Sequence, residues 1–429
     1  MCYTPIMINI TEKYFQKLPQ IEQDFLDKIT VRYRLSQQDR KQLIDIAIDL
    51  EMWDEKNLSE IWASHLDEKY EGKKLKQILI AHATAYYNNL KETPSDYHER
   101  ASLPLGYTPA KTKTPRIKFI TEEKENLGFG LCPVASPKTR CCNLLTLDAV
   151  ESCGFDCSYC SIQSFYNEDK ITFDSTLKQK LEAIELDPDE FYHIGTGQAS
   201  DSLMWGNQNG ILDDLIAFAV KYPNVMLEFK TKSDNISYFL DKELPPNLLF
   251  TWSINPQTII DNEEHLTASL DRRLRAAKRL ADKGCLVGFH FHPMIHFKGW
   301  EEEYGDIFKR LVDEFDPESV ALLSLGTLTF IKPVMKQIRQ RDFKSKILQM
   351  PLVEATGKVS YPLETKIKLF SFAYQALKPW HGKVFFYLCM EDHSLWKDVF
   401  GYEYPTNESF EMDMKLHYLT KIKAKASSS

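Results

Sequence analysis

The sequence predicts an α/β protein built on a parallel sheet, and two observations carry that expectation. Six short runs between residues 143 and 326 are nearly continuous in apolar residues, as strands buried on both faces are. Each run is followed by an amphipathic stretch of helical period, and a strand–helix alternation returns every strand to the sheet in the same direction. A doubly wound open sheet and a curved partial barrel both satisfy this pattern, and periodicity does not choose between them.

Taken in order, residues 1 to about 100 read as helical. "QQDRKQLIDIAIDLEMW" and "KKLKQILIAHATAYYNNL" place apolar residues at i, i+3 and i+4. "KETPSDYHERASLPLGYTPAKTKTPR" is rich in Pro, Ser and Thr and reads as a linker or wrapping segment. The strand candidates then follow: "NLLTLDAV", "EFYHIGTG", "NVMLEFKTK", "LLFTWSIN", "CLVGFHFH" and "SVALLSLG". The helix candidates are "STLKQKLEAIEL", "GILDDLIAFAVKY", "ISYFLDKEL", "LTASLDRRLRAAKRLADKG", "EEEYGDIFKRLVDEF" and, after the sixth strand, "KPVMKQIRQR". Beyond residue 345 the sequence predicts a helix ("TKIKLFSFAYQALKPW"), a strand ("KVFFYLCME"), a short helix ending at Gly401 and a disordered tail, "KIKAKASSS".

The bulk numbers exclude several classes. The 429 residues exceed one small core, and 43% hydrophobic with 27% charged residues describes a globular chain. No apolar run approaches the roughly 20 residues of a membrane helix, and the opening "MCYTPIMINITEKYF" lacks the parts of a signal peptide. Nine cysteines, an odd number and clustered, suit reduced thiols and a cytoplasmic location. The net charge of −8 argues against a general nucleic-acid coat. "KTKTPRIK" and "RRLRAAKRLADK" would be a local basic groove or, more simply, a solvated linker and a solvated helix face.

The chemistry concentrates in "ESCGFDCSYCSIQ", which follows the first strand and so sits at the edge where parallel α/β folds collect ligands. Cys153, Cys157 and Cys160 stand four and three residues apart, with Gly154 allowing a tight turn. Three thiolates hold three irons of a [4Fe–4S] cluster and leave the fourth iron open to a ligand, whereas an electron carrier is closed by a fourth cysteine. The alternatives are zinc on three cysteines and one histidine, His193 or His290, and three unliganded cysteines brought together by coincidence.

C-x-x-x-C-x-x-C with an aromatic residue before the last cysteine (Tyr159) resembles the radical S-adenosylmethionine superfamily. Further stretches resemble the spore photoproduct lyase group: "FKTK", "WSIN", "LDRRLRAAKRLADKG", "GWEEEY" and "FIKPVMKQI". The resemblance implies a partial (βα)6 barrel over residues 116–345. A helical N-terminal region with linker (1–115) precedes it, and a small C-terminal α+β extension (346–429) follows. It implies that the open iron chelates S-adenosylmethionine, that one electron cleaves it to a 5′-deoxyadenosyl radical, and that this radical abstracts hydrogen from a substrate. It implies cofactor contacts from Tyr159, Ser200, Asp201, Lys232 and Ser253. It also implies a flavodoxin- or ferredoxin-type reductant and a nucleobase, in DNA, as substrate.

Two departures argue against the lyase's own repair reaction. Gln198 stands where the lyase has its hydrogen-donor cysteine, and Ser161 where it has a relay tyrosine. By chain order Cys141, Cys142 and Cys285 fall at the far end of the barrel, Cys132 lies in a Pro-flanked loop and Cys389 in the C-terminal extension, so topology places none of them well; "CPVASPKTRCC" would hold a second metal or simply buried or free thiols. His290 and His292, two apart on the fifth strand, share a face and would line the chamber or be satisfied core residues. Glu302 and Tyr304 read as structural. A peptide, RNA or small molecule is the alternative substrate, and a non-enzymatic zinc- or cluster-binding protein the alternative class.

Overall fold

The computed structural model describes residues 15–63, 72–98, 118–125, 127–132, 138–160, 170–341, 343–355 and 358–427. Ser161, most of "KTKTPRIK" and the linker from 99 to 116 lie outside these. The chain forms two compact units: residues 1–112 with 329–361, and residues 113–328 with 362–429.

The first unit is helical. Gln20–Arg32, Gln37–Trp53, Leu58–Ala63 and Gly72–Glu92 pack Leu26, Leu43, Leu50, Trp62 and Leu79 into one core. Ser36 opens the second helix with a reciprocal capping box to Asp39. The helix Lys332–Gln340 belongs to this unit, where Arg339 makes two 2.7 Å bonds to Asp49, which also accepts from Tyr87 Oη.

The second unit contains an eight-stranded sheet. Its strands in chain order are β1 (Gly128–Leu131), β2 (Leu145–Asp148), β3 (Tyr192–Thr196), β4 (Val225–Thr231), β5 (Leu248–Ser253), β6 (Leu286–Met294), β7 (Val320–Thr327) and β8 (Phe385–Leu388). They lie side by side in that order. β2 through β8 are parallel; β1 runs antiparallel to β2 at one edge. Because β1 and β8 do not pair, the barrel is partial, as expected. Almost every residue of β4 through β8 is buried, which explains the apolar runs.

Three details differ from the sequence reading. The helix after β7 within this unit is Leu363–Ala376, not residues 332–341. "KVFFYLCME" supplies β8, which lengthens the barrel sheet and brings Cys389 to its C-terminal edge. Most of the segment expected to be a disordered tail is helical: Asn407–Ala426 runs into it, held by Lys421 Nζ on Pro317 O (2.8 Å) and by buried Tyr418 and Ile422.

Removing residues 383–429 should strip β8 from β7 and expose a long apolar edge, a template for aggregation. We expect the truncated chain to aggregate; a monodisperse product that unfolds cooperatively would refute the assignment of β8 to the sheet.

Candidate functional site

Parallel strands all point their C-terminal ends to one edge, and the thiol loop lies there, directly after β2. Two short antiparallel pairs fix it. Val150–Glu151 pairs with Lys170–Asp174, and Asp156–Cys157 pairs with Glu264–His265. Ser152 takes the left-handed backbone (φ 70°). Gly154 is needed for close approach rather than for a turn, because a Cβ there would come within 2.5 Å of Met204 Cε and 2.8 Å of Trp205.

The three cysteines are free and share one neighbourhood. Burial pushes the Cys153 thiol up to about 12, and Asp201 and Cys160 add to it. Burial also raises Cys157, which interacts electrostatically with Cys153 and Cys160. Lys232 works the other way on both, favouring the thiolate. Among the described residues no three His, Cys, Asp or Glu side chains gather as ligands of a single ion. The donor set suits a cluster instead: it is all sulfur, it faces a cation, and a cluster puts each thiolate on a different iron.

The expected cofactor residues surround this loop. Tyr159 Oη donates to Glu264, and Lys232 Nζ lies 3.3 Å from the same hydroxyl and 5.4 Å from the ring centroid. Asp201 accepts from the amides of Leu203 (3.0 Å), Met204 (2.9 Å) and Lys232 (2.7 Å) and from Thr231 Oγ1 (2.7 Å). Its carboxylate therefore ties the loop after β3 to the end of β4. Ser200 Oγ accepts from Trp205 Nε1 at 3.0 Å. Ser253 offers its carbonyl to Arg273 (2.9 Å), leaving its hydroxyl at the end of β5.

Sequence reasoning missed the residues that hold these in place. Glu264 pairs with Arg273 (2.6 Å), approaches Lys232 (3.5 Å) and accepts from Asn255 (2.8 Å), with both ion-pair side chains fully buried. Burial raises Glu264, but Arg273 and Lys232 outweigh it and hold the carboxyl at about 2. Arg273 was read as part of a basic helix face; its neighbour Arg272 does lie outside, paired with Asp234. The arginine following the helix-capping Ser269 by four residues was the available signal. Tyr304 Oη donates to Asn255 Oδ1 (2.7 Å) and accepts from the Ile295 amide (2.9 Å).

The barrel interior is polar. Glu228 accepts from His290 Nε2 (2.7 Å) and Thr251 (2.6 Å) and meets His193 Nε2 at 2.9 Å, while His290 Nδ1 meets Ser324 at 2.5 Å. His193 and His290 thus both turn Nε2 to Glu228, and among the described residues His193 Nδ1 is buried without a hydrogen-bond partner. Burial, then Lys230, lowers His290 to about 4, and the same causes lower His292 to about 3.

A partial parallel barrel with a three-cysteine loop at its C-terminal edge defines the class. The sequence profile of the spore photoproduct lyase family matches residues 146–360, half of the chain, and the chain belongs to that family. Similar proteins include spore photoproduct lyases of Geobacillus sp. (26% identical over 202 residues) and Bacillus subtilis (33% over 124 residues). Those matches cover 46% and 28% of this chain, and 59% and 36% of the relatives. Thus the chain spans little more than half the length of the curated relatives it matches. A solved spore photoproduct lyase complexed with dinucleoside spore photoproduct shares the fold (TM-score 0.55, 21% identity, 63% of this chain and 82% of that one). So does a mutant with bound AdoMet and the same dinucleoside (TM-score 0.54, 21% identity, 63% and 82%).

Two outcomes test the site's energetics. Replacing Glu264 with Ala leaves Arg273 buried without a counter-charge, so urea denaturation should show a loss of about 3–5 kcal/mol; a loss under 1 kcal/mol would show the pair to be dispensable. His290 has its folded pKa below its unfolded value, so its contribution is intact above about 6.5 and is lost as pH falls toward 4. That loss approaches about 3 kcal/mol, and His290→Gln should shrink the stability difference between pH 7 and pH 4.5; an unchanged difference would exclude His290 as its source.

Proposed function

We propose that this chain is a radical S-adenosylmethionine enzyme acting on a nucleobase, in DNA, in the cytoplasm. The observation that carries the reading is the loop of Cys153, Cys157 and Cys160, pinned at the C-terminal edge of a family barrel beside Lys232 and Tyr159. These three thiols would hold a [4Fe–4S] cluster, which when bound supplies the electron for reductive cleavage of S-adenosylmethionine.

The remaining work belongs to the chain's own groups. Lys232 would turn its ammonium to the polar groups of the cofactor, and it favours the thiolate form of Cys153 and Cys157. Asp201 fixes the backbone at Lys232, and Glu264 holds the Tyr159 side chain. Ser200 and Ser253 bring hydroxyls to the ends of β3 and β5. Gln198, just past β3, has no weak X–H bond to return to a product radical. The family relationship supports DNA as the substrate, and this substitution supports a reaction other than spore photoproduct repair. A reductant of the flavodoxin or ferredoxin type would supply the electron. No described helix is long and apolar enough to cross a membrane.

Anaerobic reconstitution with a chemical reductant should release 5′-deoxyadenosine from S-adenosylmethionine, and Cys157→Ala should abolish the release. Retained release in that variant would end the proposal. Binding to a single- or double-stranded oligonucleotide should weaken steeply with salt; no binding at low salt would move the substrate to a peptide or small molecule.

A further inference from the structure

The barrel interior continues beyond the Glu228 network, toward the edge that carries the thiol loop. Side chains alternate along a strand, so the residues two past Glu228 and His290 share their inner face. These are Lys230 on β4 and His292 on β6, and both are half-buried. Lys230 pairs in register with Thr251, whose hydroxyl bonds Glu228 inside the barrel. The place of His292 is fixed by β7. Gly326 stands two residues past Ser324, which bonds His290, and a Cβ on Gly326 would come within 2.9 Å of the His292 ring. The imidazole therefore occupies the space that a side chain on β7 would take.

Other charged side chains at this edge have partners. Lys232 lies 3.5 Å from Glu264. Lys366 lies 2.6 Å from Glu391, which also accepts from the Thr327 amide (2.7 Å) and hydroxyl (2.6 Å). Lys230 and His292 differ. Among the described residues, Lys230 Nζ makes no hydrogen bond or ion pair, and neither ring nitrogen of His292 makes a hydrogen bond. Idle donors in a barrel interior are costly unless a ligand uses them.

The charges of the two groups define what that ligand offers. Burial works against the Lys230 ammonium, but Glu228, ahead of the nearby thiols, outweighs it. Burial, then Lys230, holds His292 at about 3, so the ring is neutral at pH 7, with one nitrogen donating and the other accepting. The Glu228 carboxylate balances the Lys230 charge and His292 adds none, so the pair favours a neutral group with an oxygen acceptor over a phosphate.

We infer that Lys230 and His292 hold the substrate inside the barrel, the ammonium donating to a carbonyl oxygen of the base. The inference rests on the nucleobase reading above and narrows it: thymine, cytosine and guanine carry such an oxygen, and adenine does not. A base without it would leave the ammonium buried and unpaired, which is how a polar site discriminates most strongly.

The test gives the reconstituted holoenzyme, with S-adenosylmethionine and a chemical reductant, four oligonucleotides, each perdeuterated in a different nucleoside. The deuterated fraction of the released 5′-deoxyadenosine is measured. Deuterium should come from thymidine, deoxycytidine or deoxyguanosine and not from deoxyadenosine. Lys230→Met should lower the fraction about tenfold or more. Replacing each carbonyl oxygen of the donating base in turn with sulfur, a poor acceptor, should reveal one position that costs the wild type a similar factor and Lys230→Met little further. Loss of structure alone would not produce that coupling. Deuterium from deoxyadenosine, a fraction unmoved by Lys230→Met, or no such position would overturn the inference and leave the nucleobase reading standing. No deuterium from any of the four, with release intact, would overturn both. Should Lys230→Met fail to fold, His292→Gln decides by the same fraction: unchanged transfer counts against the pair.

Discussion

A carboxylate and a guanidinium, Glu264 and Arg273, meet 2.6 Å apart with neither side chain exposed. Removing two charges from water costs several kcal/mol each, so such a pair persists only when its remaining hydrogen-bonding capacity is used. Here it is used on the thiol loop. Glu264 accepts from Tyr159 and Asn255, and its backbone pairs with Cys157. Arg273 spends its other donors on the carbonyls of Ala268 and Ser253 and on Thr267. One ion pair thereby links the cysteine loop, the end of β5 and the segment leading into the helix Leu270–Asp282.

The interior of the barrel follows the same logic one layer down. Parallel strands bury both faces, so a polar group on the inner face must find its partner across the barrel. Glu228 does so through His193, Thr251 and His290, and Ser324 completes the His290 ring. Burial raises the Glu228 carboxyl, but the imidazoles and Lys230 prevail and hold it well below the ordinary carboxylate range. Lys230 lies two residues along β4 on the same face, and there the balance passes from histidine to thiol neighbours. The polar interior therefore runs from a carboxylate–imidazole network to the Lys230 ammonium, whose charged form Glu228 favours.

The strands were legible because burial on both faces forces apolar runs, and the thiol trio because three cysteines in eight residues stand out in any sequence. Both signals are local. Glu264 and Arg273 were not legible for the opposite reason: a buried charge has the same letters as a solvated one, and only its partner, nine residues away across a turn, gives it meaning. β8 was visible as a strand, but residues 329–361, which belong to the other unit, separate it in sequence from β7, so its pairing was not. Gly154 was read as a turn residue; the constraint is the packing of Met204 and Trp205 against it.

A loop of eight residues brings Cys153, Cys157 and Cys160 together by itself, so their spacing announces them in the sequence. On the function proposed above, it stops at three because a fourth protein ligand would fill the coordination position that a cofactor needs. The open side of the barrel is built differently: residues 138–143 reach the chain beyond β8 through the Thr139–Asp392 bridge and the bonds of Arg140, Cys141 and Asn143. Those contacts join segments far apart in sequence, and no local pattern foretells them.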